Sequence, residues 1–161
     1  MARKLGDFDA QGLANSLWAY ATMGRAPAAE LQARLEVKLA RKVGDFNAQD
    51  LSNTLWAMAK MDRPPTAKLQ ASLEHEVARK LGDFHAQGLS NTLWAFVSMG
   101  RPPAAELQTI IDREVARKLG EFNVVEVQQV LRAYILLEHV PRGQLLALLD
   151  ARVREMIPDD K

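Results

Sequence analysis

Apolar positions along this chain recur on two scales. On the short scale, Leu51, Leu55 and Met58 return every third or fourth residue, the step of a helix with one buried stripe. At about 100° per residue, Ala48 and Ala59 fall within the same quarter turn, and this arc is the expected core seam. On the long scale the whole pattern repeats. The string LSNTLWA occupies 51–57 and 89–95, and LANSLWA occupies 13–19. Phe8, Phe46, Phe84 and Phe122 keep the same frame, as do Gly6, Gly44, Gly82 and Gly120, and Pro27, Pro65, Pro103 and Pro141; every step is 38 residues. A fixed period of this size marks an array whose units bury their apolar faces only against neighbours.

One unit reads as two helices. In the second, Gly44 can supply a left-handed helix end and Asp45 an N-cap. Helix A then covers 46–61. Asp62-Arg63-Pro64-Pro65 breaks it, because proline restricts its predecessor and suits a first helical position. Helix B covers about 65–81, with Leu69, Leu73, Val77 and Leu81 on one side and Lys68, Glu74, Glu76, Arg79 and Lys80 on the others. It is expected to be the outer, solvated helix. No segment alternates with period two, so no sheet is expected. The fold class is all-α: an α-solenoid of stacked antiparallel helix pairs with a 38-residue period. Residues 1–6 (MARKLG) copy the ends of later helices B and read as the tail of a preceding helix, as in a piece of a longer array. Residues 7–44, 45–82 and 83–120 read as three repeats, and 121–161 as a degenerate fourth with a C-terminal tail.

The fourth unit departs from the others. Trp18, Trp56 and Trp94 give way to Arg132, and the motif's asparagine becomes Gln129. Leu136 stands where Thr22, Lys60 and Ser98 stand earlier. With Tyr134, Ile135 and Leu137 it marks an apolar surface for a further element or a protein partner.

Composition removes some functions. The 161 residues carry a formal charge of +1, so no global basic signature announces nucleic acid. There is no cysteine, hence no disulfide or thiolate chemistry. No apolar run approaches the roughly 18 residues of a bilayer span. His75, His85 and His139 share no repeat position or metal-ligand spacing. No glycine-rich phosphate loop or nucleophile elbow is present. The expectation is a non-enzymatic protein with neither cofactor nor metal.

What remains is surface. Opposite the seam of helix A lie Gln11, Asn15 and Trp18, then Gln49, Asn53, Trp56 and Lys60, then Gln87, Asn91 and Trp94. Stacking would align these into ladders. Amides offer donors and acceptors to a base edge or a peptide backbone, and an indole offers a stacking plane. The same residues also suit inter-helix packing and bonding. Asp9, Asn47 and His85, together with Asp50, vary on a constant scaffold, as residues that select one base per repeat would. Arg25, Arg63 and Arg101 in the A–B turns are candidate phosphate contacts. The Arg-Lys pairs ending each helix B, such as Arg79-Lys80 and Arg117-Lys118, form a second candidate rail, although the helix dipole alone favours a cation there.

The 38-residue helical pair with F-x-A-Q-x-L-S-N-T-L-W-A, a proline-containing turn and a second helix resembles the octotricopeptide repeat proteins. That resemblance implies an α-solenoid that binds single-stranded RNA in a chloroplast or mitochondrion and acts in transcript stability, processing or translation. A protein-interaction scaffold within a larger organellar assembly is the alternative, with the Asn/Trp ladder holding an extended peptide.

Overall fold

The computed structural model describes residues 8–157. Residues 1–6, read above as a helix tail, lie outside them, as does 158–161. Among the described residues there are eight α-helices and no strand. The A helices are α1 (Ala10–Thr22), α3 (Ala48–Lys60), α5 (Ala86–Ser98) and α7 (Val124–Leu136); the B helices are α2 (Ala29–Lys42), α4 (Ala67–Lys80), α6 (Ala105–Arg117) and α8 (Leu145–Met156). The A helices form one closely packed layer, α3 lying between α1 and α5, and α5 between α3 and α7. The B helices form a second layer with looser mutual contact. Leu35, Leu39, Leu69, Leu73 and Val77 from the B layer meet Leu17, Leu51, Leu55 and Met58 from the A layer in one continuous core.

The A helices pack closely because their flanks are small. Ser52, Ala57, Ser90 and Ala95 are all buried. An A helix is thus covered on both sides and from behind, and only its front face meets solvent.

The helix starts differ from the sequence expectation. Asp45 does not cap α3; it belongs to a one-turn 3₁₀ segment, Val43–Asp45, with its counterparts at Leu81–Asp83 and Leu119–Glu121. The cap is Asn47, whose Oδ1 accepts from the Asp50 amide at 2.8 Å, while Asp50 Oδ2 accepts from the Asn47 amide at 3.1 Å. Asn123 and Glu126 form the same capping box. Fully buried Phe46 precedes the cap and fully buried Leu51 follows at the fourth helical position, the arrangement of a hydrophobic staple.

The left-handed residue is also elsewhere. Gly44 does not take positive φ. Besides Gly143 in the α7–α8 turn, that conformation belongs to four residues: Gly24, Asp62, Gly100 and Glu138, at φ 69°, 53°, 64° and 52°. Each ends an A helix. Its amide bonds the carbonyl three back, and the next amide bonds the carbonyl five back, for example Arg63 N to Met58 O at 2.9 Å. This is the Schellman closure, and it places Arg25, Arg63, Arg101 and His139 at one equivalent position.

The last unit is out of register in its B helix. α2, α4 and α6 begin at 29, 67 and 105, whereas α8 begins at Leu145, two residues late for the period.

Candidate functional site

The exposed front of the A layer is a groove of about 1100 Å³. Gln49, Asn53 and Trp56 of α3 and Gln87 and Asn91 of α5 line it, with Trp18 and Thr22 of α1 at one end. These are the ladder positions opposite the seam. No side-chain hydrogen bond ties Gln49, Asn53, Gln87 or Asn91 to any described residue; only the main-chain oxygens of Gln49 and Gln87 are used, by Ser52 and Ser90. The amides therefore retain their full donor and acceptor capacity. Gln11 and Asn15 are exposed at the equivalent positions of α1, and Lys60 is exposed at the end of α3. The indoles differ in exposure. Trp56 and Trp94 are half-buried and wedge against each other, ring centroids 6.4 Å apart and planes tilted by 36°. Trp18 leaves 46% of its surface in solvent.

Two other residues set the groove's charge. Asp45 and Asp83 are exposed along it. Lys80, which also lines it, is committed to the backbone: its Nζ donates to Gly44 O at 2.9 Å and to Phe46 O. Lys118 Nζ does the same to Gly82 O at 2.7 Å and to Phe84 O. Arg152 Nη2 takes this role in the last unit, on Gly120 O at 3.3 Å and Phe122 O at 3.2 Å. Each clamp closes a helix pair by tying its end to the turn before its start. The lysines are held by Glu76 at 3.1 Å and Glu114 at 3.7 Å. Burial alone would raise the Glu76 carboxyl, but the bonded Lys80 ammonium and Arg79 outweigh it, and the net direction is down. The Arg117 hydrogen bond pulls Glu114 down, against burial and with help from Lys118.

Several sequence expectations are corrected here. Asp9 and Asn47 spend their side-chain oxygens on helix N-termini, Asp9 Oδ1 accepting from the Gly12 amide at 2.7 Å. Asp50 is buried within the capping box. Those two oxygens and Asp50 are thus engaged, while the Asn47 side-chain nitrogen carries no bond to any described residue and Asn47 lines the groove. His85, in the groove and without a capping bond, keeps its whole side chain available. Arg101 is not a free phosphate contact either, because its Nη1 donates to Gln70 Oε1 at 2.9 Å and to Pro65 O. Arg25 and Arg63 are exposed, and neither lines the groove. Tyr134 is not surface: it is buried, and its hydroxyl donates to Asp112 Oδ1 at 2.7 Å. Burial and the Asp112 charge both raise its pKa. Leu137 packs half-buried against the core, whereas Leu136 and Ile135 are exposed.

Among the described residues no cluster of His, Cys, Asp and Glu could hold a metal, and no helix is long and apolar enough to cross a membrane.

No curated protein matches the chain. A family model, described as the N-terminal domain of the Tbc2 translation factor, matches residues 28–156, which is 129 of 161 residues. The match runs from the entry into α2 to the end of α8. It replaces the octotricopeptide resemblance drawn from the LSNTLWA motif, since the family found is a different one. The chain belongs to the family of the Tbc2 translation factor N-terminal domain, and its role is translation-related.

Proposed function

We propose that the front of the A layer binds a single-stranded RNA segment during translation, with bases against the Asn/Gln ladder and the tryptophans. The observation that carries this reading is the row of unbonded amides, Gln49, Asn53, Gln87 and Asn91, beside Trp18 and Trp56 in one groove. Unbonded amides can meet base edges, and indoles stack on any base. His85 adds a third kind of polar group to the same surface. Phosphates then run toward Arg25, Arg63 and Lys60, away from Asp45 and Asp83. The reading includes repeat units at 7–44, 45–82, 83–120 and 121–161, a non-enzymatic role, and an organellar setting.

A labelled single-stranded RNA oligonucleotide titrated by fluorescence anisotropy tests it. Trp56→Ala should weaken binding about tenfold or more, since stacking contributes about 1–3 kcal/mol per base. Arg25→Glu with Arg63→Glu should reduce both affinity and its salt dependence. RNA binding that is unchanged in both variants would end the proposal.

A second reading keeps the groove and changes the ligand. Asp45 and Asp83 repel phosphate, which favours an extended peptide held by the same amides; exposed Leu136 and Ile135 extend the available surface for a protein partner. Loss of a co-purifying protein in Asn53→Ala, with RNA affinity intact, would select this reading.

A further inference from the structure

Three successive junctions treat one position differently. Of the residues that close the A helices, Arg101 and His139 reach back to the B helix of the preceding unit, whereas Arg63 is exposed. At the middle junction Arg101 is docked: its Nη1 donates to Pro65 O and to Gln70 Oε1, the latter at 2.9 Å. Pro65 and Gln70 have exact 38-residue counterparts, Pro27 and Gln32 before, Pro103 and Gln108 after. In both counterparts the amide nitrogen is occupied by an acid one turn on. Gln32 Nε2 donates to Glu36 Oε1 at 3.2 Å, and Gln108 Nε2 donates to Asp112 Oδ1 at 2.9 Å. That bond fixes the amide and leaves its oxygen as the acceptor; in Gln32 this oxygen is buried without a partner among the described residues.

At the last junction no donor answers. His139 is shorter than arginine and lies against Tyr134, its Nε2 2.7 Å from Asp112 Oδ2. Gln108 is 7% exposed, and its Oε1 accepts no bond from any described residue. A groove of about 700 Å³ opens there, lined by Gln108, Asp112, His139, Leu145 and Leu148. What the middle junction holds and this one lacks is a guanidinium bonded to the glutamine oxygen.

We propose that the groove between α6 and the α7–α8 turn takes an arginine side chain from a protein partner. The guanidinium occupies the place that Arg101 fills one unit earlier and donates to Gln108 Oε1 and the Asp112 carboxylate, both of which line the groove. Its planar fork suits two acceptors fixed in this way better than an ammonium does. Asp112 and exposed Glu106 supply negative charge, and Leu145 and Leu148 lie beside the aliphatic stem. Arg113 and Arg142 also line the groove and oppose the incoming charge; recognition therefore comes from the paired acceptors and not from a broad potential. This site is separate from the A-layer groove and does not rest on the RNA reading.

The probe is Nα-acetyl-arginine amide, titrated into the full chain and followed through the side-chain amide resonances of Gln108. Saturable shifts are expected, with Nα-acetyl-lysine amide at least tenfold weaker. His139→Arg should fill the site from within, abolish those shifts and leave the A-layer groove unaffected. Gln108→Leu should abolish probe binding as well; should that variant fail to fold, His139→Arg carries the test alone. Shifts that do not saturate, equal binding of the lysine probe, or binding that persists in His139→Arg overturn the proposal. So does perturbation of the Gln108 resonances by an RNA oligonucleotide but not by the arginine probe.

Discussion

Two sets of polar residues recur with the same period and end in opposite states. The amides of the A-layer front, Gln49, Asn53, Gln87 and Asn91, bond to no described side chain or backbone group, and face a groove. The cations behind them are consumed. Lys80 and Lys118 close helix pairs through backbone carbonyls, and Arg101 docks on the preceding helix. From sequence, a recurring basic rail looked as suitable for a ligand as a recurring amide ladder. The difference lies in bond inventory. A group that repeats because the fold needs it finds its partner inside the molecule. A group that repeats without a partner inside the molecule is where a ligand should be sought.

Substitutions can sharpen or break this contrast. The largest effect is expected at Lys118. Lys118→Met leaves two turn carbonyls without their donor, while Glu114 keeps Arg117 at 2.8 Å; it should cost about 3 kcal/mol, at about 1–3 kcal/mol for each buried acceptor left unsatisfied, and urea denaturation measures it. A loss no greater than that of an exposed lysine would return Lys118 to the list of ligand contacts. Next comes the pair of turn arginines. Arg101→Ala should cost about 2 kcal/mol for two lost charge-assisted bonds, while Arg63→Ala should stay within about 0.5 kcal/mol, as surface changes do. Equal losses in the two melts would erase the distinction drawn between them.

Acid should reach the clamps before the ladder. Glu76 and Glu114 are held below their usual value of 4.5. A carboxylate lowered by folding contributes stability that is complete above the unfolded pKa and is lost as pH falls through the folded one. Thermal stability should therefore hold down to about pH 4.5 and decline below it, less steeply in Glu76→Gln. The smallest effect belongs to the ladder itself: Asn53→Ala should change stability by less than about 0.5 kcal/mol and still weaken ligand binding. A large stability loss there would make the ladder a packing element.

The architecture was legible because the period is strict and helix-wheel arithmetic needs no tertiary knowledge. The same arithmetic put Asn53 and Gln49 opposite Leu51 and Leu55, where the groove is. The caps were misread although their signal was present. Asp45 and Asn47 are both capping residue types, and the glycine at 44 favoured the first. The acid three residues after Asn47 and after Asn123 was the deciding mark of a capping box. Tyr134 was legible too, since it shares the frame of fully buried Met58 and Phe96. The docking of Arg101 was not. It depends on where a neighbouring helix turns its carbonyls, and the one trace in the sequence is a glutamine five residues after each turn proline, at 32, 70 and 108.

The clamps have a bearing on how such a chain can change length. Lys80 and Lys118 fasten carbonyls that lie 34 to 36 residues upstream, inside the span of a single period. A duplicated 38-residue segment brings its own fastening with it and borrows none from the flanking units. Growth by tandem copying leaves every closure intact and asks only that the new small-residue flanks fit between the old ones.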